Sequence, residues 1–175
     1  MREAEKKIRD RAALAEECRR LRAEGRKIVF TNGCFDLVHA GHASTLEFAR
    51  RQGDVLVVAL NTDASVRRLK GPERPMVDER NRARMIAALE CVDYVTWFGE
   101  DEPRALVEEL QPDVLVKASD WAGYVSGRDV VEARGGRVVL APMVDGLSTT
   151  ILIAKIRGTP PPPPPVCQIE RTLFR

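Results

Sequence analysis

No stretch of this 175-residue chain approaches the ~20 consecutive apolar residues that cross a bilayer. The amino terminus is charged throughout, so no secretory signal is expected. Paired cysteines are missing as well. Cys18, Cys34, Cys91 and Cys167 stand singly, without a CxxC pair, so neither a cysteine zinc site nor a disulfide framework is expected. Blocks of like charge are also absent. The formal net charge is +2, and the run "REAEKKIRDRAALAEECRRLRAEGRK" mixes both signs, as a solvated helix face does. Nothing here announces a nucleic-acid or membrane partner. The expectation is a soluble protein of a reducing, cytoplasmic compartment.

Apolar residues make up 44% of the chain, enough for one real core. Leu14, Cys18 and Leu21 recur at helical spacing, and Gly25 offers a stop. Strand-like runs then alternate with helical ones. "KIVF", "DVLVVAL", "DYVTWF", "DVLVKA" and "RVVLAP" read as strands. "ASTLEFARRQG", "DASVRRL", "ERNRARMIAALECV", "EPRALVEELQ", "GRDVVEARGG" and "STTILIAKIRG" read as helices. Several strands are uniformly apolar, which means burial on both faces. The pattern predicts an α/β fold: a doubly wound, five-stranded parallel sheet in a single domain. The expected organisation is an N-terminal helical segment over residues 1–25, the main domain over 26–158, and a proline-rich tail over 159–175. Six consecutive prolines, Pro160 to Pro165, predict a stiff polyproline II spacer in that tail, serving either as a plain tail or as a docking or subunit-crossing arm.

Ligands bind such sheets beyond the carboxyl ends of the strands. The stretches to read are therefore "TNGCFDLVHAGH", "NTDAS", "KASDW" and "MVDGLSTT". The first holds His39 and His42, the only two histidines of the chain. Spaced i, i+3 at a helix start, they can face one side. Gly33 and Gly41 allow close backbone approach, and the helix start adds free amides and a positive dipole end. Imidazole donors with free amides suit a polyphosphate. A zinc site of His39, His42 and Asp36 is the weaker alternative.

"DGLSTT" reads as a second anion site, because Gly146, Ser148 and Thr149 stand at a helix start, where an ordinary cap is the plain reading. Lys70 sits in the loop "KGPERP", from which it can close on phosphates as a lid does. Asp36, Asn61 and Asp63 end the first two strands, where they suit sugar hydroxyls or Mg²⁺, or else turn and capping roles. Trp121 can stack on a base or simply pack.

At these residues the chain resembles a family. "FDLVHAGH" is similar to the HxGH signature of the cytidylyltransferase-like nucleotidyltransferases, and "GLSTT" to their second signature. The ordered set "TNGCFDLVHAGH", "NTDASVRRLKGPERP", "LECVDYV", "DVLVKASDW" and "DGLSTT" resembles the branch that adenylates D-glycero-D-manno-heptose 1-phosphate, over roughly residues 8 to 157. The resemblance implies a Rossmann-like sheet and AMP transfer from ATP to the heptose phosphate. ADP-heptose for lipopolysaccharide core synthesis and pyrophosphate would be the products. It also implies His39, His42 and Lys70 in catalysis. Gly33, Cys34, Phe35 and Gly41 would bind nucleotide, with Arg82 facing phosphate and Asp120 on the fourth strand's end. Gly146, Ser148 and Thr149 would complete that set, while Asp36, Asn61 and Asp63 would hold the sugar substrate. Mg²⁺ would accompany ATP. A homo-oligomer and a separate kinase supplying the sugar phosphate are expected. Two positions depart from the family: Ala118, followed by Ser119, replaces a usual glycine, and Met143 stands where glycerol-phosphate cytidylyltransferases carry arginine. The alternatives are a cytidylyltransferase acting on a polyol or amino-alcohol phosphate, and a non-catalytic ATP-sensing module.

Overall fold

The computed structural model describes residues 3–119, 123–144 and 146–160. Five strands form one all-parallel sheet: β1 (Ile28–Gly33), β2 (Val55–Asn61), β3 (Tyr94–Phe98), β4 (Val114–Ala118) and β5 (Arg137–Ala141). Their spatial order is β3-β2-β1-β4-β5. The chain thus winds outward from β1 to one edge, then returns to β1's other side. The reversal falls between β1 and β4, where a doubly wound sheet opens a crevice at its carboxyl ends.

The helices are α1 (Ala4–Lys7), α2 (Arg11–Ala23), α3 (Ala40–Arg50), α4 (Asp63–Lys70), α5 (Glu79–Ala88), α6 (Arg104–Leu110), α7 (Arg128–Glu132) and α8 (Thr149–Arg157). Because strand side chains alternate, Ile28 and Phe30 enter one core while Val29 enters the other. The first core is closed by α2, α6 and α7 through Leu14, Cys18, Leu21, Leu106, Leu110 and Val131. The second is closed by α3 and α5 through Leu46, Ala49, Ala83, Ile86 and Ala87. The strand β2 is buried along its whole length, as its unbroken apolar run predicts.

The amino-terminal helix α2 belongs to this core. Asp10 caps it by accepting from the Ala13 amide at 2.8 Å. Just before it, Ile8 pairs in parallel with Val95 and covers the open edge of β3. At the amino ends of the strands, three aspartates fix the register. Asp54, Asp93 and Asp113 accept from the backbone amides of Lys27, Leu56 and Ile28 at 2.8, 2.8 and 2.7 Å. The carboxyl ends are left for function.

Two boundaries differ from the sequence expectation. The helix expected to run through Val92 stops at Ala88, because Asp93 must turn to meet the Leu56 amide. Lys70 is the last residue of α4 and not part of the following loop, since the Gly71 amide still bonds to the Arg67 carbonyl at 3.0 Å. Gly71, at φ 98°, then ends the helix in a conformation that glycine adopts freely. Residues 71–78 contain no helix or strand. No helix among the described residues is long and apolar enough to cross a membrane. The prolines from 161 onward, together with Asp120 and Trp121, lie outside the described residues.

Candidate active site

The chain leaves β1 at Gly33 and turns sharply. Phe35 takes φ 48°, a left-handed conformation that costs a non-glycine residue on the order of 1 kcal/mol. Burial of its ring, 6% exposed, offsets that cost. The ring folds back under Gly33, where an added Cβ would lie 3.2 Å from it. The glycine therefore makes room for Phe35, whose ring in turn supports His42 at a centroid distance of 5.2 Å.

His39 occupies the N-cap of α3 without capping it, so the first amides of the helix are not closed by a side chain. Its imidazole stacks on that of His42, with centroids 3.9 Å apart and planes inclined by 23°. Both Nδ1 atoms are buried, and neither has a hydrogen-bond partner among the described residues. An N–H on either Nδ1 would be left unsatisfied, so the favoured tautomer carries its proton on Nε2. Burial lowers the pKa of His39; burial and the neighbouring His39 lower that of His42 to about 4. The pair is neutral at pH 7. Gly41 is needed for this stack, since a Cβ there would come within 3.0 Å of the His39 ring.

The same position marks the meeting of two helix starts. An added Cβ at Gly41 would lie 3.7 Å from the Leu147 side chain, just ahead of α8. There Gly146 has φ 73°, and the Ser148 hydroxyl caps α8 by accepting from the Ile151 amide at 3.1 Å. Its O–H proton has no acceptor among the described residues. Thr149 and Thr150 open the helix behind it. "HAGH" and "GLSTT", more than a hundred residues apart, thus set two positive dipole ends side by side.

The residues expected to bind sugar and phosphate behind this pair are engaged in protein contacts. Arg82 is fully buried. Its guanidinium donates to the carbonyls of Val77 (3.0 Å), Cys34 and Asn61 (2.8 Å), and to the Asp63 carboxylate (2.8 Å). It ties together the ends of β1 and β2, the start of α4 and the loop ahead of α5. Asp36 accepts from Arg74 Nε and from the amides of Met76 (2.8 Å) and Val77 (3.0 Å). The Asn61 amide group donates to Ser65 Oγ at 3.0 Å, and the Cys34 thiol donates to its oxygen at 3.9 Å. In the structure Arg82, Asp36, Asn61 and Asp63 therefore meet protein groups, and their contacts join the turn after β1 to the end of β2, the start of α4 and the loop ahead of α5. No group of three His, Cys, Asp or Glu able to hold a metal occurs among the described residues, and Asp36 is turned to Arg74, away from a His–His–Asp arrangement.

A cleft of about 460 Å³ opens between the loop after α4 and the face of α8. Lys70, Gly71, Pro72, Glu73 and Arg74 line one wall, and Thr150, Ile153 and Arg157 the other. Lys70 is thus brought to a cleft shared with Thr150 of α8, which neither histidine lines. Two polar groups escaped the sequence reading. Arg74 was indistinguishable from other loop arginines. Lys117, the last residue but one of β4, donates to the Asn32 side chain at 3.0 Å across the β1/β4 crevice; its place near a strand's carboxyl end was the available signal.

The bifunctional protein HldE of Trichlorobacter lovleyi is 54% identical over 156 residues, covering 89% of this chain and 32% of that protein. HldE of Azorhizobium caulinodans is 58% identical over 137 residues, covering 78% and 29%. The chain spans about a third of the length of these curated relatives. The crystal structure of the lipopolysaccharide core biosynthesis protein from Thermoplasma volcanium superposes with a TM-score of 0.57 at 28% identity, covering 69% of this chain and 98% of that one. The family model described as cytidylyltransferase-like matches residues 30–155, from β1 to within α8, and on that match the chain belongs to the cytidylyltransferase-like family.

Proposed function

We propose that the chain transfers AMP from ATP to D-glycero-D-manno-heptose 1-phosphate, giving ADP-heptose and pyrophosphate. The observation that carries the reading is the stacked, neutral histidine pair where the starts of α3 and α8 converge. The ordered motifs of the heptose branch and the similarity to the HldE proteins support the choice of sugar. Met143 stands at the cytidylyl branch's arginine position, and the absence of that arginine favours the heptose branch over the cytidylyl one.

The sugar phosphate is already an anion at neutral pH, so it needs no strong base. One of its oxygens attacks the α-phosphorus in line, and the bond from that phosphorus to the bridging oxygen breaks, releasing pyrophosphate with the bonding electron pair. The protein's task is to hold two anions together and to stabilise charge as it shifts. The Nε2–H groups of His39 and His42 donate to the α-phosphate oxygens. The amides at the starts of α3 and α8, with the Ser148 and Thr149 hydroxyls, bind the remaining phosphate oxygens. Lys70 offsets charge on the departing pyrophosphate. The described residues offer no protein cage for magnesium, so Mg²⁺ would arrive on the triphosphate, where it neutralises charge and keeps several of its waters.

A substrate panel tests the proposal. Purified protein with Mg²⁺, ATP and the heptose 1-phosphate should release pyrophosphate, and ATP should outperform CTP. Pyrophosphate only with CTP and a polyol phosphate would move the chain to the cytidylyl branch. Tight ATP binding with no turnover on any sugar phosphate would leave a nucleotide sensor.

A further inference from the structure

We propose that Arg74, together with Lys70, forms a second anion subsite in the cleft beside α8 and binds a substrate phosphate group there; this rests on the nucleotidyl-transfer reading above. The side chain of Arg74 is 14% exposed, yet among the described residues only its Nε has a protein acceptor, the Asp36 carboxylate. A guanidinium carries five N–H donors in a fixed fork. Both Nη groups, with four of those donors, have no acceptor among the described residues. They are not among the buried unpartnered atoms either, so they face the open cleft that Arg74 lines.

Asp36 sets the direction of that fork. Its side chain is fully buried, and its second oxygen takes the amides of Met76 and Val77. The loop is thereby pinned so that Nε points inward and the Nη edge outward. A buried carboxylate in contact with one nitrogen pre-orders the guanidinium without covering the edge that grips a phosphate in bidentate fashion.

The charge around the cleft completes the case. Its one lining carboxylate, Glu73, is paired with Arg157 at 2.8 Å on the rim. Lys70 has no carboxylate partner among the described residues, and it lines the same wall as Arg74. Two cations therefore face one space: Lys70 without a carboxylate partner among the described residues, and Arg74 with its one carboxylate partner buried behind it. The Cys34 thiol at the end of β1, pushed up by burial, is drawn back down by Lys70, Arg82 and Arg74 in turn. The positive field of both cations therefore reaches the turn that carries the histidines. The ligand is a phosphate group, and two sources bring one: the acceptor sugar phosphate and the leaving pyrophosphate.

The test uses Arg74→Gln and Arg74→Lys, with Asp36→Asn/Arg74→Gln as a second variant that removes the pair without leaving a buried lone charge. Three quantities are read: KM for the sugar phosphate in the forward direction, KM for pyrophosphate in the reverse direction, and the rise in Tm caused by inorganic phosphate. Loss of the fork should raise one of the two KM values at least tenfold, and the phosphate-induced rise in Tm should disappear. An increase for the sugar phosphate assigns the subsite to the acceptor; an increase for pyrophosphate assigns it to the leaving group. Unchanged KM values with an undiminished response to phosphate overturn the proposal. If the wild type turns over no sugar phosphate, the proposed activity fails, and the Tm response alone decides the subsite.

Discussion

His42 should work as a neutral donor throughout the physiological range, and this can be tested by counting protons. Its pKa in the free protein is about 4, so at pH 7 it would need a shift of three units to become charged on nucleotide binding. Three units amount to about 4 kcal/mol of interaction. Protonating both rings of a pair 3.9 Å apart would add about 4 kcal/mol of repulsion at an effective dielectric of 20. A bound triphosphate in a cleft open to water will not supply both. Titration calorimetry of ATP binding at pH 7.5, in buffers of different ionisation enthalpy, should therefore give proton uptake near zero. Uptake approaching one proton per nucleotide, lost in His42→Gln, would show an imidazolium and refute the assignment. The kinetic counterpart separates donor from charge. His42→Ala should lose roughly 10²–10³ in kcat, the scale of one removed transition-state donor. His42→Gln, which keeps an N–H, should retain more activity than Ala. The same pKa has a consequence for folding. The unfolded histidine binds its proton below about 6.5 and the folded one only below about 4, so stability is lost as pH falls through that window. The loss is at most about 3 kcal/mol, reduced by solvent at the ring's open edge, and the His42→Gln variant should lack it.

Two further substitutions divide stability from activity in opposite ways. Gly41→Ala should change Tm little, because the preference of a helix for alanine over glycine, up to about 1 kcal/mol in the interior, is smaller at this second position of α3; yet it should lower kcat at least tenfold, because its Cβ displaces the His39 ring, and unchanged kcat would show that the stack is dispensable. Arg82→Ala should lower the unfolding free energy by about 3–5 kcal/mol in denaturant titration, since it strips partners from Asp63 and from the carbonyls of Val77, Cys34 and Asn61; a loss below about 1 kcal/mol, with ATP affinity abolished, would return Arg82 to the nucleotide.

The sheet was legible because its signal is repeated. Each strand is a short apolar run, and "DVLVVAL" has no polar face to offer solvent, so it must lie inside the sheet, as β2 does between β1 and β3. The histidine pair was legible for a different reason: two scarce polar residues at a strand's carboxyl end have few structural uses. What escaped the sequence depends on direction. Asp36 and Arg74 lie 38 residues apart, and nothing local says that one carboxylate will take a guanidinium and two amides from the same distant loop. Helix ends escaped for a similar reason, since α5 stops where Asp93 is needed by β2.

The polar residues at the carboxyl ends of β1 and β2 show why a site is harder to assign than a fold. Asp36, Asn61, Asp63 and Arg82 stand where a ligand is expected, and their types suit sugar and phosphate. A buried strand end, however, also exposes carbonyls that need donors, and a buried arginine needs acceptors. Here each need answers the other: the guanidinium of Arg82 satisfies the carbonyls of Cys34 and Asn61 and is itself satisfied by them and Asp63. On the proposed reading, a group whose hydrogen bonds are filled in this way acts on a ligand by holding something else in place. On the proposed reading, the groups left to meet the substrate are those whose capacity is unfilled among the described residues: the imidazole pair, the uncapped start of α3, Lys70, and the outer edge of Arg74. Unfilled hydrogen-bonding capacity at the strand ends, more than residue type, separates the reacting surface from the frame that carries it.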